Sequence, residues 1–102
     1  MERMTINGKE YQGRKLQVVS TAYCGSQKTA TGTWAKVRHT IAVDPKVIPY
    51  GSKIYIPELN FVGVAEDCGS AIKQNKVDIF MGSYREAMNW GIRNITIFVI
   101  EE

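Results

Sequence analysis

The 102 residues of this chain are enough for one domain with one hydrophobic core. Hydrophobic residues make up 44% and charged residues 23% of the sequence, values that exclude an intrinsically disordered protein. The formal net charge of +3 comes from 13 basic residues that are spread out without a run of three. This spread argues against a nucleic-acid-binding protein and fits weak attraction to an anionic surface such as a bacterial wall polymer.

No apolar stretch approaches the roughly 18 residues of a membrane span. The N-terminal segment MERMTINGKE also lacks the apolar region of a signal peptide. Three origins stay open: a protein that remains in the cytosol, a module of a longer exported chain, or a phage-type lysis enzyme released by another route. The last two would place the domain in the cell wall or outside the cell.

The first part of the chain is organised around one turn. Asn7-Gly8, between MTI and KEY, is the strongest short-range hairpin signal, so we expect a hairpin extension over residues 1–15 and the main domain over residues 16–102. The segment LQVVSTAY, residues 16–23, predicts a strand. Residues 24–38 are rich in Gly, Ser and Thr and predict a long loop, which in a compact domain is usually functional.

Short strands account for most of the remaining chain. TIAVD ends at Asp44-Pro45, because proline donates no ladder hydrogen bond. KIYI, FVGVAE and VDIF follow, and residues 94–100 form a last β-branched strand. Six to eight short strands favour a mainly β barrel, since closure removes the edges that they would otherwise leave open.

One helix is well marked. Ser83 with Glu86 three positions later forms a capping box, and Gly91 supplies the C-terminal stop. We expect its apolar face to consist of Tyr84, Ala87, Met88 and Trp90. Phe80 and Tyr55 are expected in the core together with Trp90.

The three aspartates, Asp44, Asp67 and Asp78, all lie near predicted strand ends in apolar contexts, whereas the seven glutamates are expected on the solvated surface. A carboxylate among Val, Ile and Phe is costly to ionise, so its pKa rises. A carboxylic acid that keeps its proton near neutral pH can act as a general acid. The pattern favours chemistry on a glycosidic bond.

Several motifs follow one another in a fixed order: TAY at 21–23, TATG at 29–32, AVDPKVIPYGSKIYI at 42–56, AEDCGSAIKQNKVDIF at 65–80 and EAMNWG at 86–91. In this order they resemble the three-aspartate (3D) domain family, and the long pattern ending in VDIF is highly specific. The family is similar to the catalytic domain of membrane-bound lytic transglycosylase A and includes stationary-phase cell-wall factors. The resemblance implies a six-stranded double-psi β-barrel with one short helix.

The resemblance also implies an activity on peptidoglycan glycan strands. Such an enzyme would cleave the β-1,4 bond between N-acetylmuramic acid and N-acetylglucosamine and form a 1,6-anhydromuramic end, with no cofactor and no metal. Asp78 of the VDIF motif is the best candidate acid, and Asp67 and Asp44 complete the acidic set. Asp44 has an alternative role, since it precedes Pro45 and could fix the turn. A non-catalytic, expansin-like glycan-binding module is the alternative function.

The predicted sugar-binding residues lie in two loops. An aromatic ring to stack on a pyranose and hydroxyls to meet its polar edge are expected from Tyr23, Thr29, Thr31 and Gly32. Gly69 and Lys73 are added from the second loop, where Lys73 could hold one aspartate ionised. Trp34 could stack on a sugar or pack down as a lid. This chain has Cys68, Ser70 and Gln74 where the family commonly has Thr, Gly and Gly, so the second loop is expected to differ slightly.

Two cysteines and one histidine leave further alternatives. Cys24 and Cys68 could form a disulfide or remain reduced, and a nucleophilic thiol is a remote third option. A single histidine, His39, gives little support for a zinc site and is expected at the surface. We expect either a monomer or a domain-swapped dimer, because small strand-rich domains with an N-terminal hairpin can exchange elements.

Overall fold

The computed structural model describes residues 1–101 and is mainly β, with one short α-helix among the described residues, as predicted. Its strands are β1 (Glu2–Ile6), β2 (Lys9–Tyr23), β3 (Thr40–Ala42), β4 (Lys53–Ile56), β5 (Phe61–Asp67), β6 (Lys76–Phe80) and β7 (Arg93–Ile100). The helix α1 spans Tyr84–Trp90, and a 3-10 turn spans Pro57–Leu59. No helix within residues 1–101 is long and apolar enough to cross a membrane.

Six of the strands close into a ring. The hydrogen-bonded order is β1-β2-β6-β3-β5-β4-β7, and β7 pairs back onto β2. The β2–β6 and β3–β5 pairs are parallel, and the other pairs of the ring are antiparallel. Among the strands of residues 1–101, only β1 stands outside the ring, so the open edges expected of many short strands are largely removed.

The N-terminal hairpin forms at the predicted turn. Asn7 and Gly8 have φ values of 50° and 84°, and two positive φ angles are the requirement of a tight hairpin turn. β2 then continues without a break from Lys9 to Tyr23, pairing first with β1 and then with β7 and β6. The predicted boundary after residue 15 falls inside this strand, and the division of the chain into two parts stays a prediction.

The apolar side chains form two clusters. The larger fills the ring and includes Ile41, Val77, Ile79 and Ile97, all almost fully buried. The smaller lies between the hairpin and the outer surface of the ring and is built on Ile6, Phe98 and Ile100, with Tyr55 packed against it. Of the residues predicted for the core, Trp90 and Phe80 are buried and Tyr55 is half-buried.

Helix α1 begins and ends as predicted. Ser83 Oγ accepts a hydrogen bond from the Glu86 N–H at 3.1 Å, and Gly91 ends the helix with a φ of 65°. The predicted apolar face is wrong for two of its four residues, however: Tyr84 and Met88 are 71% and 61% exposed, whereas Trp90 is buried and Ala87 is half-buried. The reason is that this short helix is attached mainly through Trp90, whose Nε1 donates to Ser20 Oγ at 3.0 Å.

Candidate functional site

Two of the three aspartates lie in one row across the sheet. In the strand register Ala42 of β3 is paired with Asp67 of β5 on one side and with Asp78 of β6 on the other, and Asp78 is paired with Thr21 of β2. Paired residues of neighbouring strands project to the same face. Two strand spacings separate the aspartates, so their Cα atoms are about 10 Å apart, with the small Ala42 between them. Both carboxyl groups therefore face a common strip of the outer surface of the ring.

A β-bulge brings Asp67 to this face. Ala65 is fully buried in the ring, and strict alternation along β5 would turn Asp67 to the same inner side. The register shifts between Ile41 and Ala42, which pair with Ala65 and Asp67, so Glu66 is the extra residue. A bulge of this kind redirects the side chains that follow it. The inserted residue is what puts Asp67 beside Asp78.

The Asp67 carboxylate is surrounded by hydrogen-bond donors. Its Oδ1 accepts from the Ala30 N–H at 3.0 Å and from the Cys68 N–H at 2.9 Å, and its Oδ2 accepts from the Tyr23 hydroxyl at 3.1 Å. With three donors on two oxygens, Asp67 serves as an acceptor. The same contacts fasten the 24–38 loop to the end of β5.

Asp78 has a different environment. It is half-buried, and the Thr21 hydroxyl donates to its Oδ1 at 2.9 Å. Burial raises the pKa of Asp78, and the charge of Asp67 adds to this rise, while the Thr21 hydrogen bond and the charge of Lys76 oppose it. The outcome is a pKa above the ordinary value of an aspartate. Asp78 is thus a carboxyl group suited to hold a proton.

Tyr23 contacts the ends of β5 and β6 at the site. Burial raises the pKa of the Tyr23 hydroxyl, and the neighbouring Asp67 carboxylate raises it further, so the hydroxyl stays protonated and donates to Asp67. The ring packs edge-on against Phe80 with their centres 5.2 Å apart. The sequence predicted Tyr23 as a surface for stacking a sugar. The structure gives it a positioning contact with a carboxylate as well.

The predicted sugar-binding residues Thr29, Thr31 and Gly32 form a compact turn, here called the threonine turn. Thr29 is buried, and its hydroxyl oxygen lies 3.2 Å from Thr31 Oγ1 and 2.8 Å from Thr33 Oγ1. The Thr31 N–H donates to the Glu66 carbonyl at 3.2 Å, and Gly32 turns the chain with a φ of 90°. Thr31 and Gly32 are exposed next to the Asp67 end of the site, whereas Thr29 holds the turn together.

Asp44 anchors the loop that follows β5. Its two oxygens accept from the backbone N–H groups of Lys46 at 3.1 Å and Gln74 at 2.9 Å. These bonds, that of Gln74 foremost, lower the pKa of Asp44, and the charge of Lys73 contributes. Gln74 has a φ of 57°, a conformation that favours glycine, and its hydrogen bond to Asp44 helps to hold it there. These contacts favour the turn-fixing alternative for Asp44.

The remaining residues of the second loop also have structural contacts. Lys73 is exposed and its charge acts on Asp44, whereas the lysine whose charge lowers the pKa of Asp78 is Lys76. That Lys73 keeps Asp67 or Asp78 ionised stays a prediction. Gly69 is half-buried in a turn, where its carbonyl accepts from the Ile72 N–H at 3.0 Å.

Glu66 is the residue that the sequence analysis missed, since all seven glutamates were expected on the surface. It is 7% exposed, and its Oε2 accepts from Thr40 Oγ1 at 2.6 Å. The Thr40 hydroxyl accepts in turn from the Lys36 N–H at 2.9 Å. His39, expected at the surface, is half-buried with its Nε2 3.7 Å from Glu66 Oε1. The available signal was the position of Glu66 inside an apolar strand directly before Asp67.

Both cysteines are free thiols. Cys24 is half-buried and Cys68 is exposed, so the structure agrees with the reduced alternative. Cys68 contacts the Tyr50 hydroxyl, and this contact is the main cause that raises the pKa of Tyr50 to about 12. Within residues 1–101, no three histidine, cysteine or carboxylate side chains converge in the manner of metal ligands.

Comparison with known proteins identifies the family. The 3D domain family matches residues 39–101, which is more than half of the chain. The chain belongs to the 3D domain family. The match includes Asp44, Asp67 and Asp78, whereas Tyr23 and the threonine turn precede it.

Relatives of this 3D domain are proteins of Bacillus subtilis (strain 168). The cell wall-binding protein YocH is 42% identical over 98 residues, which is 85% of this chain and 33% of the relative. The putative cell wall shaping protein YabE is 39% identical over 99 residues, covering 89% of this chain and 24% of the relative. The 3D domain thus spans a quarter to a third of the length of these two relatives.

Solved structures with a similar fold include the lytic transglycosylase MltA of Escherichia coli. It superposes with a TM-score of 0.59 at 25% identity, covering 76% of this chain and 28% of MltA. MltA with bound chitohexaose matches with the same TM-score at 22% identity. The predicted similarity to this enzyme is confirmed at the level of the fold.

Proposed function

We propose that this 3D domain cleaves peptidoglycan glycan strands as a lytic transglycosylase. The bond would be the β-1,4 linkage between N-acetylmuramic acid and N-acetylglucosamine, and the product a 1,6-anhydromuramic end. The observation that carries the proposal is the pair of aspartates on one face, of which Asp78 has a raised pKa and Asp67 is held by three donors. The fold shared with the lytic transglycosylase MltA supports it.

In the proposed reaction Asp78 supplies the proton. Its carboxylic acid protonates the glycosidic oxygen as the bond to the anomeric carbon breaks, and the leaving sugar departs as an alcohol. The 6-hydroxyl of the muramic acid then forms a new bond to the anomeric carbon, and the Asp78 carboxylate takes its proton. The acid is regenerated and no water is consumed, so one carboxyl group serves as acid and then as base.

Asp67 has a supporting part in this scheme. Positive charge develops at the anomeric centre in the transition state, and a nearby acceptor carboxylate stabilises it. Tyr23, Ala30 and Cys68 hold the Asp67 side chain in place by hydrogen bonds, so it need not reorganise when the charge appears. The reaction as proposed requires no cofactor. Tyr23, Thr31 and Gly32 would contact the sugar beside this carboxylate.

An Asp78→Asn variant tests the proposal. Loss of a general acid lowers rates by roughly 10²- to 10⁴-fold, because the amide cannot donate the proton of a carboxylic acid. Purified sacculi are incubated with each protein, and anhydro-muropeptides are quantified by mass spectrometry. Asp44→Asn serves as the matched control, and the folded variant should still release anhydro-muropeptides. Hydrated reducing ends in place of anhydro ends would indicate a hydrolase.

A non-catalytic glycan-binding module is the second candidate, favoured by the name of the relative YocH, a cell wall-binding protein. The two candidates differ in whether the domain cleaves the glycan strand that it binds. A wild-type domain that sediments with sacculi, yet releases no soluble muropeptide during prolonged incubation, would establish the binding module and exclude the enzyme. An Asp78→Asn variant that lyses sacculi as fast as the wild type would also remove the acid role.

Three further proposals concern the whole molecule. We propose that the ring is a double-psi β-barrel, which its two parallel strand pairs, β2–β6 and β3–β5, support. We also propose that the domain works in the cell wall or outside the cell, as the names of its relatives suggest. It would act there as a monomer or a swapped dimer, and light scattering distinguishes these states.

A further inference from the structure

The 24–38 loop presents a tryptophan to solvent next to the site. Trp34 is 57% exposed, whereas the other tryptophan, Trp90, is 6% exposed. Trp34 forms an isolated β-bridge with Lys28, and the Lys28 Nζ lies 5.7 Å from the centre of the indole ring. The ammonium group lies over one face of this indole, so the exposed part of the ring offers an apolar surface with a charged donor next to it.

This segment, residues 28–34, is connected to Asp67 by a short contact. The Thr29 N–H donates to the Thr33 carbonyl at 2.7 Å, and the two hydroxyl oxygens lie 2.8 Å apart. In the turn between Thr29 and Thr33, the Ala30 N–H donates to Asp67 Oδ1 at 3.0 Å. Ala30 lies in the turn that the Lys28–Trp34 bridge closes, so the Trp34 backbone is tied to the residue that donates to Asp67. Trp34 is therefore held at a fixed offset from Asp67.

We infer that Trp34 and Lys28 form an accessory sugar subsite, which binds a pyranose ring of the same glycan strand away from the bond that is cleaved. The C–H face of a pyranose is apolar and stacks on an indole, and the Lys28 ammonium group donates to a hydroxyl, acetamido or carboxylate oxygen of the sugar. The inference rests on the proposed function. It specifies the substrate class as a polymeric strand, because the ring bound at Trp34 is additional to the two rings that flank the cleaved bond.

Binding of N-acetylglucosamine oligomers tests the subsite. Proteins carrying Asp78→Asn, so that no turnover occurs, are titrated with the dimer and the hexamer by calorimetry. Adding Trp34→Ala should weaken hexamer binding by about two- to tenfold, because that is the usual contribution of a stacked aromatic pair to an affinity. Dimer binding should be nearly unchanged. Tyr84→Ala is the matched control, since Tyr84 is 71% exposed on helix α1. It should leave both affinities unchanged.

A second measurement does not depend on the alanine variant. The hexamer should change the fluorescence of Trp34 while the buried Trp90 stays constant, and a Trp34→Phe protein should lose the response. Equal affinities of the Trp34→Ala and parent proteins for both oligomers would overturn the subsite, and so would hexamer binding without a fluorescence change. Absence of any oligomer binding would overturn it as well. The proposed function is judged separately, by anhydro-muropeptide release from sacculi.

Discussion

The Glu66→Ala substitution gives the sharpest test of how the site is built. It removes the acceptor of a 2.6 Å hydrogen bond from Thr40, whose side chain is fully buried. A hydrogen bond to a charged group contributes about 1.5–3 kcal/mol, so we expect a loss of about 2 kcal/mol in the free energy of unfolding. For a domain of this size that loss corresponds to a decrease of roughly 8–16 °C in the melting temperature.

The assay is equilibrium urea unfolding, with thermal unfolding followed by circular dichroism. Glu66→Gln should retain most of the stability, because the amide oxygen still accepts from Thr40. The exposed Glu58 provides the control, and Glu58→Ala should change stability by less than about 0.5 kcal/mol. If Glu66→Ala is as stable as Glu58→Ala, then the Thr40–Glu66 hydrogen bond does not stabilise the bulge and our account of what holds Glu66 there is incorrect.

Four other expectations follow from the contacts. Lysis of sacculi should decline as pH rises through the raised pKa of Asp78, because the proton donor is lost; initial rates over a pH series measure this, and a rate that increases through that range would contradict the acid role. The same raised pKa means that the folded state binds the proton more tightly than the unfolded chain, so Asp78→Asn should reduce the gain in stability on acidification. Tyr23→Phe removes one donor to Asp67 and should cost about 1–2 kcal/mol in transition-state stabilisation, measured as kcat/KM, while secondary structure persists. Gly63→Ala should destabilise by about 1–3 kcal/mol in urea, because the added Cβ would lie 2.6 Å from Ile41 Cδ1 and 2.8 Å from a backbone carbonyl oxygen.

Local chemistry made much of the fold predictable. The Asn7-Gly8 turn, the Ser83 cap and the Gly91 stop depend on residues that contact their near neighbours in sequence, and all three formed as predicted. The strands KIYI and VDIF also agree with β4 and β6. In each case a few adjacent residues determine the backbone conformation, so the sequence pattern is sufficient.

The site depends on contacts that no local pattern encodes. The bulge at Glu66 exists because β5 pairs with β3, two segments that are far apart in sequence, and the fit between them decides which side Asp67 faces. The apolar face of α1 failed as a prediction for a related reason. Spacing along a helix says which residues share a side, but the packing of Trp90 against β2 decides which side is covered.

The position of β7 has a consequence for how the domain is made. Because β7 pairs with both β2 and β4, the ring stays open until residues 93–100 have been synthesised. Until then the apolar strands are unprotected, and the late joining of distant segments makes folding intrinsically slow. A ribosome-bound chain that lacks β7 should therefore be protease-sensitive and a good chaperone substrate, and emergence of residues 93–100 from the ribosome should be the event that commits it to the native state.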